Sequence, residues 1–227
     1  MRSTSRAART SGLALLLSMV VAGALARAAI ASAATPAAAT AVAAPVAVVA
    51  TDPGQLIDTV AQAMLHELDA HRADYRQDPA RINELVDREL LPHFDTDYSA
   101  RLVLGKYWNS ATAEQRQRFV AAFYHSLLNN YGRALLDFTA DRLKVLPYKG
   151  DPGATYATVR TQVRKNDGTI VAVNYSLHRT AKGWMAWDVV IEGISYVKSF
   201  RDDFGAEIDA HGVDALIDRL EKQGAGK

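Results

Sequence analysis

The chain has 227 residues, 49% of them hydrophobic, with 26 Lys+Arg against 25 Asp+Glu, 6 His and no Cys. Without cysteine there are no disulfides, thiolate metal sites, cysteine nucleophiles or lipid-modified cysteine anchor, so an apolar core must hold the fold. Charges of both signs are interspersed, which excludes the basic footprint of a nucleic-acid binder and the Lys/Arg cluster of an anionic-membrane binder.

Arg2, Arg6 and Arg9 open the chain, an apolar run from Gly12 to Ala26 follows, and Ala31-Ser32-Ala33 offers small residues at signal-peptidase spacing. The run stops at Arg27, short of the ~20 residues a spanning helix needs. Residues 1–33 are therefore expected to be a signal peptide cleaved near Ala33. Four of the basic residues and no acidic one precede Ala34, so the remainder carries 22 basic against 25 acidic side chains, a net −3. Residues 34–50, rich in Ala with two prolines, lack charge and periodicity and read as a flexible leader. Residues 51–227 suffice for one domain burying roughly 70% of its unfolded surface.

Asp52-Pro53 starts a helix, and Ile57, Val60, Ala61, Met64, Leu65 and Leu68 form its apolar face. Asp78-Pro79 repeats the signal, with Ile82, Leu85, Val86 and Leu90 continuing until Pro92. Thr112 and Gln115 have capping-box spacing. A long stripe follows through Phe119, Ala122, Phe123, Ser126, Leu127, Asn130, Tyr131, Ala134, Leu135 and Phe138, which predicts one helix to that point.

Near Leu143 the period changes from 3.6 to 2. A short strand over Leu143–Tyr148 precedes three longer ones. Their inward sets are Ala157, Val159, Thr161 and Val163; then Val171, Val173, Tyr175 and Leu177; then Met185, Trp187, Val189 and Ile191. Asp167-Gly168 and Lys182-Gly183 read as hairpin turns, so neighbouring strands are antiparallel. After Gly193, Phe200, Phe204 and Ile208 mark a helix, Gly212 a break, and Val213, Leu216, Ile217 and Leu220 another helix. Helices, then a meander, then helices predict an α+β fold: a twisted antiparallel sheet covered on one face by helices.

Catalytic and metal signatures are sparse. The histidines are scattered and form no HExxH, and no glycine-rich phosphate loop is present. Gly193-Ile194-Ser195-Tyr196-Val197 lacks the last glycine of a nucleophile elbow and leaves a meander, so Ser195 reads as a turn or cap hydroxyl. Asp188, beside Trp187, or His178 could act as acid or base in a pocket. By alternation, however, Asp188 shares the face of Ala186 and Glu192, opposite the apolar one, and reads as a surface or hairpin-paired carboxylate. The remaining feature is two apolar surfaces that must meet. Phe119, Phe123, Leu127, Tyr131 and Leu135 lie on the long helix; Val159, Val163, Val173, Tyr175, Trp187, Val189 and Ile191 lie on the strands. Periodicity alone describes a filled core as well as a cavity, and without further signal the ordinary close-packed core is the favoured reading.

Glu89-Leu-Leu-Pro92, Val103-Leu-Gly-Lys-Tyr-Trp108 and Ser110-Ala-Thr-Ala-Glu-Gln-Arg116 with Phe119 and Phe123 resemble the MlaC/toluene-tolerance family of periplasmic phospholipid-binding proteins. Tyr131-Gly-Arg-Ala-Leu-Leu136, Trp187-Asp188 with Glu192-Gly-Ile-Ser195, and Gly212-Val-Asp-Ala-Leu216 resemble it too, in order, over about residues 52–221. The resemblance implies a sheet and helices enclosing an apolar lipid pocket, with Ile194 added to the wall residues above, no catalytic residues and no cofactor beyond phospholipid cargo. It further implies a periplasmic monomer that carries phospholipid between an outer-membrane lipoprotein/porin complex and an inner-membrane ABC transporter complex. Some relatives are associated with hopanoids, which leaves the lipid identity open.

Overall fold

The computed structural model describes residues 52–78, 80–165 and 167–225. The expected signal peptide and leader lie outside the described residues.

Helix α1 (Pro53–Ala70) begins where the sequence says it should: the Asp52 carboxylate accepts from the Gln55 N–H at 2.9 Å, and Pro53 fills the first turn. Its buried face carries Leu56, Ile57, Val60, Met64, Leu65 and Leu68. A short α2 (Arg72–Gln77) follows, buries Tyr75, and leads to α3 (Ala80–Glu89), which buries Ile82, Leu85 and Val86. Leu91–His93 is a 3-10 turn around Pro92. Helix α4 (Thr96–Leu104) has no counterpart among the sequence expectations; Asp95 caps it by accepting from the Tyr98 N–H at 2.9 Å.

Helix α5 (Ala113–Tyr131) opens with the full capping box, Gln115 N–H donating to Thr112 Oγ1 at 3.1 Å and Thr112 N–H to Gln115 Oε1 at 2.9 Å. Thr112→Ala should cost about 1 kcal/mol in urea unfolding; an unchanged midpoint would count against the box. The helix ends at Tyr131 instead of running to Phe138, and Gly132–Asp137 tightens into 3-10 geometry. The stripe changes targets there. Phe119 and Phe123 pack with α4 and the C-terminal helices, whereas Leu135 and Leu136 pack with α1–α3. A helix keeping one pitch would aim the whole stripe along a single line.

Strands β1 (Leu143–Val145), β2 (Tyr156–Arg164), β3 (Ile170–Thr180), β4 (Gly183–Ile191) and β5 (Ile194–Ser195) form one antiparallel sheet in that order. Gly168 and Gly183 take the positive φ that the two tight hairpins need. Strand β1 is shorter than the expected Leu143–Tyr148, because Tyr148, the residue that would make the next rung, packs by Gly54 at the start of α1 instead. Helices α6 (Tyr196–His211) and α7 (Val213–Gly224) follow, separated by Gly212 at φ 85°. The α+β class, the antiparallel meander and the flanking helices are as the sequence predicts.

The inward list for β4 needs correction. Ala186 pairs with Leu177 and Asp188 with Ser176, so a bulge leaves Trp187 as an extra residue. Trp184 and Ala186 therefore share the apolar face with Leu177, Val189 and Ile191, and Met185 and Trp187 do not. Trp184 and Ala186 pack with α1, whereas Trp187 packs into the cluster built from α4 to α7.

Candidate functional site

Register places Val173, Tyr175, Val189 and Ile191 side by side on the apolar face, with Val159 opposite Tyr175 and Ile194 opposite Ile191. Leu56, Ile57 and Val60 of α1 cover one part of this face, sealing Ala157, Val159, Leu177, Trp184 and Ala186. The covering stops there. Val173, Tyr175, Val189 and Ile191 are only half-buried, although they occupy the interior of the sheet. A close-packed core would seal them as it seals Val159 and Leu177 on the same face. Tyr175 packs at the margin of the α1-covered cluster, and burial raises its phenol pKa above the ordinary value.

At one end of this face the turn between β4 and β5 is drawn back onto β3. Glu192, at φ 49°, accepts the Ala172 N–H on its carboxylate and donates its own N–H to the Ala172 carbonyl at 3.0 Å. Ile194, 53% exposed, stands beyond Ile191 as a rim residue rather than a wall residue.

The helix candidates divide. Phe119 is fully buried, stacked on Phe123 at 5.6 Å between centroids, and belongs to the core. Phe123, Leu127 and Tyr131 line a cavity of about 190 Å³ together with Phe200 and Phe204 of α6 and Leu220 of α7. Ser126, Asn130, Arg219 and Gln223 supply its polar wall. This space is below the roughly 300–1,000 Å³ of ordinary ligand pockets. Leu135 packs against the α1–α3 cluster. Val163 is buried, and Trp187 faces α4, where Tyr98 meets it edge-on at 5.7 Å. The sheet quartet and the helix trio are thus two apolar surfaces. Burial first, then the neighbouring Tyr131, raises the Tyr196 phenol just after β5.

The acid/base alternatives have separate structural duties. Asp188 lies on the face opposite Val189 and Ile191, as alternation has it, but at 3% exposure it is the hairpin-paired carboxylate of the two readings and not a surface one, its partner Ser195 standing on β5. One oxygen accepts from Ser195 Oγ at 2.6 Å and the other from the Val197 N–H at 3.0 Å. Ser195 in turn caps α6, accepting from the Lys198 N–H at 3.0 Å. His178 Nε2 lies 2.9 Å from Asp95 Oδ2, and its ring rests against Tyr98. Sequence alternation missed the Asp188–Ser195 pair. Its only sequence signal is the cap-forming Ser195 before a helical stripe.

Among the described residues no group of three or more His, Asp and Glu could hold a metal ion. No described helix is long and apolar enough to cross a membrane.

The family model described as MlaC protein matches residues 58–222. The toluene tolerance protein ttg2D of Pseudomonas putida is 32% identical over 170 residues, covering 74% of this chain and 79% of that protein. The intermembrane phospholipid transport system binding protein MlaC of Haemophilus influenzae (strain ATCC 51907 / DSM 11121 / KW20 / Rd) is 24% identical over 179 residues, covering 78% and 84%. A phospholipid-binding protein from Ralstonia solanacearum, solved in complex with a phospholipid, superposes with a TM-score of 0.71. It is 24% identical, over 77% of this chain and 97% of that one, a likeness of fold.

Proposed function

Because the chain belongs to the MlaC family, we propose that it is a phospholipid-binding transport protein whose acyl-chain site begins at the uncovered part of the sheet. The observation that carries this is the half-buried quartet Val173, Tyr175, Val189 and Ile191, beyond the part of the apolar face that α1 seals over Ala157, Val159, Leu177, Trp184 and Ala186. The names of its relatives support phospholipid as the cargo. The wall is the sheet quartet, with Ile194 at the rim; Phe123, Leu127 and Tyr131 form a second apolar space that acyl chains enter as α5 and α6 move apart.

In this reading the protein is exported to the periplasm as a monomer and shuttles lipid between an outer-membrane lipoprotein/porin complex and an inner-membrane ABC transporter complex. Two acyl chains hold about thirty methylenes, and exposing them to water at ~0.8 kcal/mol each costs on the order of 24 kcal/mol. Crossing an aqueous compartment therefore requires a carrier. A dry hollow matches the bilayer interior, so transfer into it is near neutral, and direction comes from partners that bind loaded and empty carrier differently. The acid/base residues have no part in this reading: Asp188 holds the start of α6 and His178 faces Asp95.

Native mass spectrometry of protein purified without detergent tests the cargo. Adducts at phospholipid masses are expected, and a bare chain in every preparation would contradict the reading.

A further inference from the structure

The open edge of β2 points to a second recognition surface, independent of the lipid hollow. The Leu146 N–H donates to the Arg160 carbonyl at 2.9 Å as the last rung beyond β1. Pro147 then turns the chain away. On the opposite side of β2, the Arg179 N–H donates to the Thr155 carbonyl at 2.8 Å, so the odd-numbered residues of this segment bond toward β3 and the even-numbered ones toward β1. Tyr156 and Thr158 therefore direct their N–H and C=O groups at the open edge, and neither finds a backbone partner there among the described residues.

The gap is held open by the fold. Tyr148, the residue that would continue the ladder opposite Thr158, packs instead by the start of α1, where a Cβ on Gly54 would lie 3.2 Å from the Tyr148 Cβ. Its phenol closes back over Gly150. Between this loop and the strand lies a cleft of about 300 Å³ lined by Pro147–Gly150 and Tyr156–Thr158 with Arg160. Two cations border it, Lys149 and Arg160, and neither has a carboxylate partner among the described residues. The nearby Asp151 carboxylate is engaged by the Gly153 N–H at 2.8 Å.

An unpaired strand edge is a template for another strand, and unpaired cations beside it select the charge of what docks. We propose that an extended acidic segment of a partner protein adds to this edge, pairing its backbone with Tyr156 and Thr158 and placing carboxylates against Lys149 and Arg160. The site lies outside the hollow, so a partner can hold the carrier here while lipid enters or leaves.

The test is a titration of the ¹⁵N-labelled full chain with the acetylated, amidated peptide Asp-Val-Asp-Val-Asp, followed by amide shifts. Tyr156, Thr158 and Arg160 amides should move and the first two should exchange more slowly with solvent. The N-methylated peptide should not bind, and K149E/R160E should weaken the parent peptide about tenfold or more. Lipid adducts in that variant should be unchanged, which separates failure here from failure of the lipid reading. No shift at about millimolar peptide, equal binding of the N-methylated peptide, or the same shifts from inorganic phosphate alone would overturn strand pairing.

Discussion

Val189→Glu abolishes lipid retention and leaves the fold intact. Val189 sits opposite Tyr175 on the uncovered apolar face and is half-buried, so no core contact comparable to those of Val159 is lost. A carboxylate there must either stay charged beside acyl chains or take up a proton, and each course costs several kcal/mol once a lipid excludes water. Without lipid, the same carboxylate keeps part of its hydration and folding is little affected. Lipid per protein should fall about tenfold or more, a factor that ~1.4 kcal/mol already produces. Val190→Glu is the matched control: one residue along, it pairs with Asn174 and Ser195 on the opposite face, and it should retain lipid. Equal lipid in both variants would remove Val189 from the wall.

Asp188→Ala has the largest expected effect on stability. The carboxylate is 3% exposed and accepts from Ser195 Oγ and the Val197 N–H, joining the end of β4 to the first turn of α6. Removing it strands two donors, one on the buried Val197, and takes a negative charge from a helix N-terminus. The cost should be about 3 kcal/mol, read as a lower urea midpoint at unchanged slope. Asp188→Asn keeps an acceptor oxygen and should cost about 1 kcal/mol. A catalytic Asp188 predicts the reverse: unchanged stability in Asp188→Asn and loss of turnover of some substrate.

The parts of the fold legible in the sequence are those decided by neighbours along the chain. The Asp52 cap, the Thr112–Gln115 box and the turns at Gly168 and Gly183 are local chemistry, and they stand where the residues put them. Helix α4 is not legible because its buried apolar residues, Ala100, Val103 and Leu104, span too few turns to establish a period. The end of α5 was illegible for a different reason. Leu135 and Leu136 keep a helical rhythm with Phe119, and only the separation of two packing clusters in space forces the change of pitch at Gly132.

The apolar face of the sheet is legible in part. For Val173, Tyr175, Val189 and Ile191 alternation and register agree. Met185 and Trp187 leave that face, because a bulge is a property of two strands: the residue opposite the gap lies on β3, and nothing in the β4 sequence announces the extra residue. The inserted residue reverses Trp184, Met185 and Ala186 relative to simple alternation, while Asp188 keeps its face and is buried there by its bonds to Ser195 and the Val197 N–H. Alternation also cannot say where α1 stops covering the sheet. That limit depends on the position of Leu56, Ile57 and Val60 over Ala157 and Leu177, and it separates the sealed part of the face from the half-buried part.

The most direct measurement is nuclear Overhauser transfer between the acyl methylenes of bound phospholipid and the methyl groups of a methyl-labelled, otherwise deuterated chain. Contacts from the lipid to Val173, Val189 and Ile191, with none to Val159 or Leu177, are the predicted result. Lipid contacts confined to the outer surface, or none to those three residues in a sample that carries lipid, would contradict it.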